Sequence, residues 1–324
     1  MRLDPGQLRR AAGELGFQPE VLEKVIQLVD LLDALYKHPF LADRLVLKGG
    51  TALNIFALNL PRLSVDIDLN YVGAVDRETM LEERPRVDQA VQVVCKRQGL
   101  RVRRVPDDHA GGKWSLSYDR SHGDTGRLEL DLNFMLRSPL WPPNRQDSPE
   151  FLGLSAHGIP VLDIHELAGG KLSALFSRTV SRDLFDTVGI LGCDDLDPAK
   201  LRLAFVAYGA MSRRDWRTVA VTDIEMEPRD ATRMLLPLLR LDRIPGKADI
   251  DSWCRDLVGR CRDLLSVVLP FSPDEREFLE RINGHGEIRP DLITGDPIVR
   301  ERLANHPALL WKAQNVRAYR FGGR

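Results

Sequence analysis

The chain has 324 residues, of which 43% are hydrophobic and 29% charged, with a formal net charge of −1. That length suits about two domains with full cores and no need of disulfide or metal staples, and the near-zero charge excludes a global basic field of the kind that drives non-specific nucleic-acid binding. The four cysteines, Cys95, Cys193, Cys254 and Cys261, show neither CxxC nor zinc-finger spacing, which suits a reduced intracellular protein. The opening "MRLDPGQLRRAAGELG" is too polar for a secretory h-region, and no apolar run reaches the roughly 18–20 residues of a membrane span, so a cytoplasmic protein without membrane attachment is expected.

In chain order, residues 20–37 carry Val21, Val25, Leu28, Leu32 and Leu35 at helical spacing, and His38-Pro39 ends that helix. "RLVLKG" predicts a short strand, and "TALNIFALN" a helix opening straight after Gly49 and Gly50 and stopped by Pro61. "SVDIDLNY" alternates strictly, with Val65, Ile67, Leu69 and Tyr71 on one face and Ser64, Asp66, Asp68 and Asn70 on the other. A helix over 79–98 and two further strands, "KWSLSY" and "RLELDLNF", follow before a proline-rich connection, "SPLWPPNRQDSPE". The basic runs "KRQGLRVRR" and "SRRDWR" read as solvated faces. From about residue 163 the pattern is helical: "DIHELAGGKLSALFSR", "SRDLFDTVGILG" and "PAKLRLAFVAYGAM" are successive helices, and "RINGHGEIRPDLITGDP" is a long irregular break. The organisation expected is α+β, with a mixed-sheet domain over 1–160 and a mainly helical domain over 161–324 that completes an active-site cleft.

The chemistry concentrates in residues 45–71. Asp66 and Asp68 are two apart on a strand, so both carboxylates leave the same face with Cα atoms roughly 7 Å apart. Oxygen donors at that spacing suit a hard cation such as Mg²⁺, and a third carboxylate, Asp131, completes the set if its strand is a neighbour. Gly49 and Gly50 lie between strand and helix, where backbone amides can meet a phosphate without Cβ interference; Thr51 adds a hydroxyl and Arg62 a forked donor. A Walker P-loop is excluded, because no Gly-Lys-[Ser/Thr] stands at the glycines. Each element alone also fits a plain turn or a solvated edge strand; it is the order strand, GG, helix, strand, DxD and then a distant strand Asp that is specific.

That order resembles the nucleotidyltransferase fold of the polymerase-β superfamily. "KGGTAL", "RLSVDIDL" and "KLSALFSRTVSRDLFD" resemble more closely the AbiEii and MenT nucleotidyltransferase toxins, and the likeness runs from residue 45 to about 317. The fifteen residues between Gly50 and Asp66 exceed the gap in many superfamily members, a length the AbiEii branch tolerates. The resemblance implies that Lys171 and Asp186 belong to the active site, with Arg178, Arg182 and Asp183 supporting them. On the residues alone Lys171 is equally a triphosphate-binding point charge or a snorkelling surface lysine, and Ser181 is a plausible N-cap for the next helix.

The resemblance further implies a Mg²⁺-dependent transfer of a nucleoside monophosphate from an NTP to an acceptor hydroxyl, the 3′ end of tRNA, by the toxin of a toxin–antitoxin pair with its antitoxin encoded nearby. Asp66, Asp68 and Asp131 would hold the metal, while Gly49, Gly50, Thr51, Arg62, Ser64, Lys171, Arg178 and Arg182 would bind the nucleotide. In some MenT relatives a partner phosphorylates the residue in the place of Ser64, so a silencing role at that serine is also implied. The alternatives are a protein or aminoglycoside-like acceptor, and an inactive nucleotide-binding module.

Overall fold

The computed structural model describes residues 3–58, 61–104, 111–194 and 196–321. Two helices open the chain. α1 (Pro5–Leu15) is capped by Asp4, whose side chain accepts from the Gln7 amide at 2.8 Å, and it ends at Gly16 in the left-handed region. α2 (Pro19–Lys37) ends at His38 as the sequence predicts.

The sheet follows from β1 (Leu45–Lys48) and β2 (Asp66–Tyr71), linked through α3 (Gly49–Thr51), which runs directly into a π-helical turn over Ala52–Ala57. The helix predicted for "TALNIFALN" is therefore a one-turn start at the glycines that widens into π geometry; the end predicted at Pro61 follows residues 59–60, which lie outside those described. The alternating strand begins at Asp66, two residues later than the pattern suggests, so Ser64 lies in its lead-in.

α4 (Arg77–Arg97) carries Pro85 in its interior and precedes β3 (Arg101–Arg104), β4 (Gly111–Asp119) and β5 (Thr125–Asn133). β6 (Asn144–Gln146) and β7 (Ile159–Val161) complete a seven-stranded mixed sheet in the order β3-β4-β5-β2-β1-β7-β6. Three of these strands depart from the sequence reading: β3 lies inside the basic run read as a solvated face, β6 inside the proline-rich connection, and β7 had no alternating signal.

The apolar face of the sheet carries Ile67, Leu69, Trp114, Leu116, Leu128, Leu130 and Leu132, all buried, and α2 and α4 pack on this half of the fold. The opposite face of β2, β5 and β4 carries the charged residues, which stay partly or wholly exposed, while Asn70 at the end of β2 is buried. A single carboxylate ties the end of β2 to α4: Glu83 accepts from Arg44 Nε and Nη2, both at 2.8 Å, and from the Tyr71 hydroxyl at 2.7 Å.

The helical part comprises α5 (Ile164–Arg178), α6 (Ser181–Leu191), α7 (Pro198–Met211), the one-turn α8 (Pro228–Asp230), α9 (Ile250–Leu264), α10 (Pro273–Glu280), α11 (Pro297–Ala304) and α12 (Pro307–Phe321). The chain divides into two compact units. The first comprises Met1–Arg137, Pro143–Leu162 and Leu236–Ile244; the second comprises Ser138–Pro142, Asp163–Leu235 and Pro245–Arg324. Within the first unit the returning segment pairs with the lead-in to β2. The Leu63 amide donates to the Leu238 carbonyl at 2.9 Å, and the Arg240 amide to the Pro61 carbonyl at 3.0 Å.

Candidate active site

Strand register places the acidic residues in rows. β1 and β2 are antiparallel with Lys48 opposite Asp68; β2 and β5 are parallel with Asp68 opposite Asp131; β5 and β4 are antiparallel with Asp131 opposite Lys113. One row across four strands therefore reads Lys48, Asp68, Asp131, Lys113. Neighbouring strands lie about 4.8 Å apart, so the two carboxylates are immediate neighbours bracketed by two lysines. The next row on the same face pairs Asp66 with Glu129 and Glu129 with Ser115. Asp66, Asp68 and Asp131, predicted as one set, thus share one face on adjacent strands.

The electrostatics follow from that placement. Burial pushes the Asp131 carboxyl up; the Lys48 charge opposes this, Asp68 adds to it, and Lys113 opposes it in turn. Lys113 donates to Glu129 with Nζ–Oε2 at 2.8 Å, and that bond, with the charges of Glu129, Asp131 and Asp66, raises its pKa. Lys48 and Lys113 were not singled out in the sequence. Lys48 stands next to the glycines and Lys113 opens an alternating strand, yet only the cross-strand register brings them to the carboxylates.

The glycines back onto the same row. Gly49 sits at φ 74°, and a Cβ there would lie 2.2 Å from Asp68 Oδ2. A Cβ on Gly50 would meet Ser64 Oγ at 2.9 Å and Arg62 Nη2 at 3.2 Å. The turn can therefore lie against Asp68 and Ser64 only because it lacks side chains. Gly49→Ala is expected to cost about 1–2 kcal/mol from the left-handed backbone alone, and to lower nucleotide transfer by displacing Asp68. Urea unfolding and a transfer assay read the two effects, and wild-type values in both would refute the close approach.

Other predicted residues stand deeper. Thr51 is fully buried, and its hydroxyl donates to the Asp66 carbonyl, bracing the glycine turn against the start of β2. Arg62 is 2% exposed and donates from Nη1 to the Leu63 carbonyl at 2.9 Å. Ser64 is 5% exposed, so its hydroxyl is covered in this conformation.

Among the described residues no three His, Cys, Asp or Glu side chains form a ready-made cage for a metal ion. The donor set still fits Mg²⁺, which is held by one or two carboxylates together with substrate phosphates and waters rather than by an all-protein cage. Asp66 and Asp68 are hard oxygen donors on a half-buried face, and the glycine turn brings backbone directly against Asp68, where a side chain would collide with its carboxylate.

In the second unit, α5 is capped by Asp163, whose side chain accepts from the His165 amide at 2.9 Å, and ends at Thr179 in the left-handed region. Lys171, on α5, is 8% exposed. Its Nζ lies 2.9 Å from Asp183 Oδ1 and 3.0 Å from Asp186 Oδ2, both carboxylates being buried on α6. The snorkelling reading of Lys171 is thus excluded. Arg178 grips Asp183 from the outside, with Nε–Oδ2 at 2.6 Å and Nη2–Oδ1 at 3.1 Å, and keeps 61% of its side chain exposed. Burial pushes the Asp183 carboxyl up, but Lys171 and Arg178 together outweigh it and hold it below the usual aspartate range. Arg182 is half-buried on the first turn of α6. Ser181 does not cap that helix: Val180 occupies the cap position, and Asp230 accepts from the Ser181 amide at 2.8 Å instead.

A family model described as the nucleotidyl transferase AbiEii toxin of a type IV toxin–antitoxin system matches residues 30–280. Among solved structures the chain is similar to MenT4, a nucleotidyltransferase toxin from Mycobacterium tuberculosis H37Rv, at 18% identity and a TM-score of 0.60, covering 94% of this chain and 98% of that one. It is also similar to JHP933 from Helicobacter pylori at 16% identity and a TM-score of 0.44, covering 78% and 94%. No curated protein matches in sequence.

Proposed function

Because the chain belongs to the AbiEii family of nucleotidyltransferase toxins, we propose that it transfers a nucleoside monophosphate from an NTP to the 3′-terminal hydroxyl of tRNA, and that this transfer blocks translation until a cognate antitoxin intervenes. The observation that carries the reading is the row in which Asp68 stands between Lys48 and Asp131, with Asp66 on the same face and Gly49 against Asp68. In the reaction the acceptor oxygen attacks the α-phosphorus, the bond to pyrophosphate breaks, and the acceptor proton leaves to a base.

Asp66 and Asp68 would hold Mg²⁺, with Asp131 as the third donor; when bound, the ion supplies Lewis-acid polarisation of the phosphoryl oxygens and relief of charge on the leaving group. Asp131 alternatively takes the acceptor proton, a role to which a carboxyl with a raised pKa is suited. Gly49 and Gly50 present backbone amides to the phosphates, and Lys48 and Lys113 add positive charge on either side of the carboxylates. Thr51 and Arg62, both buried, support this turn from behind. Lys171, Asp183 and Asp186 act as an ion triad that positions α6, closed from the exposed side by Arg178.

The direct test incubates the purified protein with Mg²⁺ and each labelled NTP in turn, offering total tRNA and an aminoglycoside as acceptors. Label at RNA 3′ ends with one or more nucleotides is the expected result. Labelled protein, or labelled aminoglycoside with unlabelled RNA, would replace tRNA as the acceptor, and no product with any acceptor would favour a nucleotide-binding module without catalysis.

A further inference from the structure

The polar face that carries the carboxylates does not end at β5. The row Asp66–Glu129–Ser115 continues to Arg103 on β3, and Arg127 on β5 stands opposite Ser117, which in turn stands opposite Arg101. Arg101, Arg103 and Arg127 are all exposed on this face. Three of the charged groups beyond the central row are already matched: Arg101 and Asp119 pair with each other at 2.7 Å, and Glu129 pairs with Lys113 of the central row at 2.8 Å. Arg103 and Arg127 have no carboxylate partner among the described residues.

We propose that the open face of β5, β4 and β3 is the bed on which the phosphodiester backbone of a nucleic-acid acceptor lies, with Arg103 and Arg127 as its phosphate contacts. Rigid strands present both guanidiniums on the face that holds the catalytic carboxylates, with small side chains, Ser115 and Ser117, between them. From strand spacing and rise, each arginine's Cα lies on the order of 12 Å from that of Asp131. A stacked strand advances about 3.4 Å per nucleotide, so those contacts fall a few nucleotides back from a terminal hydroxyl placed at the carboxylates. A guanidinium suits this task because its fork matches phosphate oxygens without reading the base. The acceptor would therefore be selected here by backbone and not by sequence. The chain's net charge of −1 is no obstacle, since the attraction is local.

This surface rests on the tRNA reading above, and its test separates the two. Affinity for 5′-labelled total tRNA is measured by filter binding across a salt series for the wild type, Arg127→Gln, Arg127→Glu and the double variant Arg103→Gln/Arg127→Gln, alongside binding of a fluorescent NTP analogue. The double variant should lose about tenfold or more in RNA affinity and should flatten the slope of log K against log salt by about 1.5, as expected for two lost phosphate contacts. Arg127→Glu should lose more than Arg127→Gln, with NTP-analogue binding unchanged throughout. Wild-type affinity and slope in the double variant would overturn the surface alone and leave the arginines to an acidic protein partner. A wild type that binds no RNA would sink the acceptor reading and this surface together.

Discussion

Asp68→Asn should reduce nucleotide transfer by about 10³-fold or more while leaving the protein folded. The loss corresponds to several kcal/mol of transition-state stabilisation, the scale of an interaction that orders and polarises a phosphoryl group. Stability should barely move, because Asp68 is half-buried on the open face of β2 and not in the apolar core beneath it; surface substitutions of this kind stay within roughly 0.5 kcal/mol. Relief of the Asp68–Asp131 repulsion offsets part of any lost attraction to Lys48. Asp66→Asn should behave likewise, and EDTA should reproduce both, with Mg²⁺ restoring the wild type alone. Initial rates of label transfer and urea midpoints report the two quantities. Full activity in Asp68→Asn would remove the carboxylate row from the mechanism.

Lys171→Ala should show the opposite signature, a loss of stability of about 3–5 kcal/mol, because it strands Asp183 and Asp186 as buried carboxylates without their shared cation. Arg178→Ala touches the same Asp183 but from the exposed side, and should cost no more than about 1 kcal/mol. The triad also has a pH signature. Asp183 is held below its ordinary value in the folded state, so its contribution is fully present above that ordinary value, near 4, and is lost as pH falls through the lower folded value. The acid limb of a stability–pH curve should therefore flatten in Asp183→Asn, which no longer titrates. If Lys171→Ala keeps the wild-type urea midpoint and loses NTP binding instead, the lysine serves the triphosphate directly.

These two cases also mark what the sequence could reveal. Alternation is a property of one strand, so the shared face of Asp66 and Asp68, and the polar face of Asp131, were legible without a fold. The mixed α+β architecture and the family likeness were legible too, because both rest on order along the chain. Register between strands is not written in any one of them, and so Lys48 and Lys113 surfaced only when β1, β5 and β4 were aligned. β3 hid for a compositional reason: three arginines in four residues read as a solvated run, and only pairing with β4 makes them a strand. Asp230 caps α6 from 49 residues away, a distance over which local capping patterns carry no information. For Lys171 the helical period placed it, but whether its charge met solvent or a carboxylate depended on how α6 docks on α5.

The pairing of residues 61–63 with 238–240 sets a schedule for the making of the protein. The lead-in to the catalytic strand takes its backbone partners from a segment about 175 residues further along the chain, Leu63 from Leu238 and Arg240 from Pro61. A nascent chain that has emerged only through β7 holds every strand of the sheet but lacks those bonds, and Arg62 has no Leu239 to sit against. At roughly 5–20 residues per second, synthesis needs several more seconds before that segment exists. The long-range closure also raises contact order and slows folding. Most of the chain has thus left the ribosome before the strand that carries Asp66 and Asp68 is fully braced, and a partner that binds early meets the sheet unfinished.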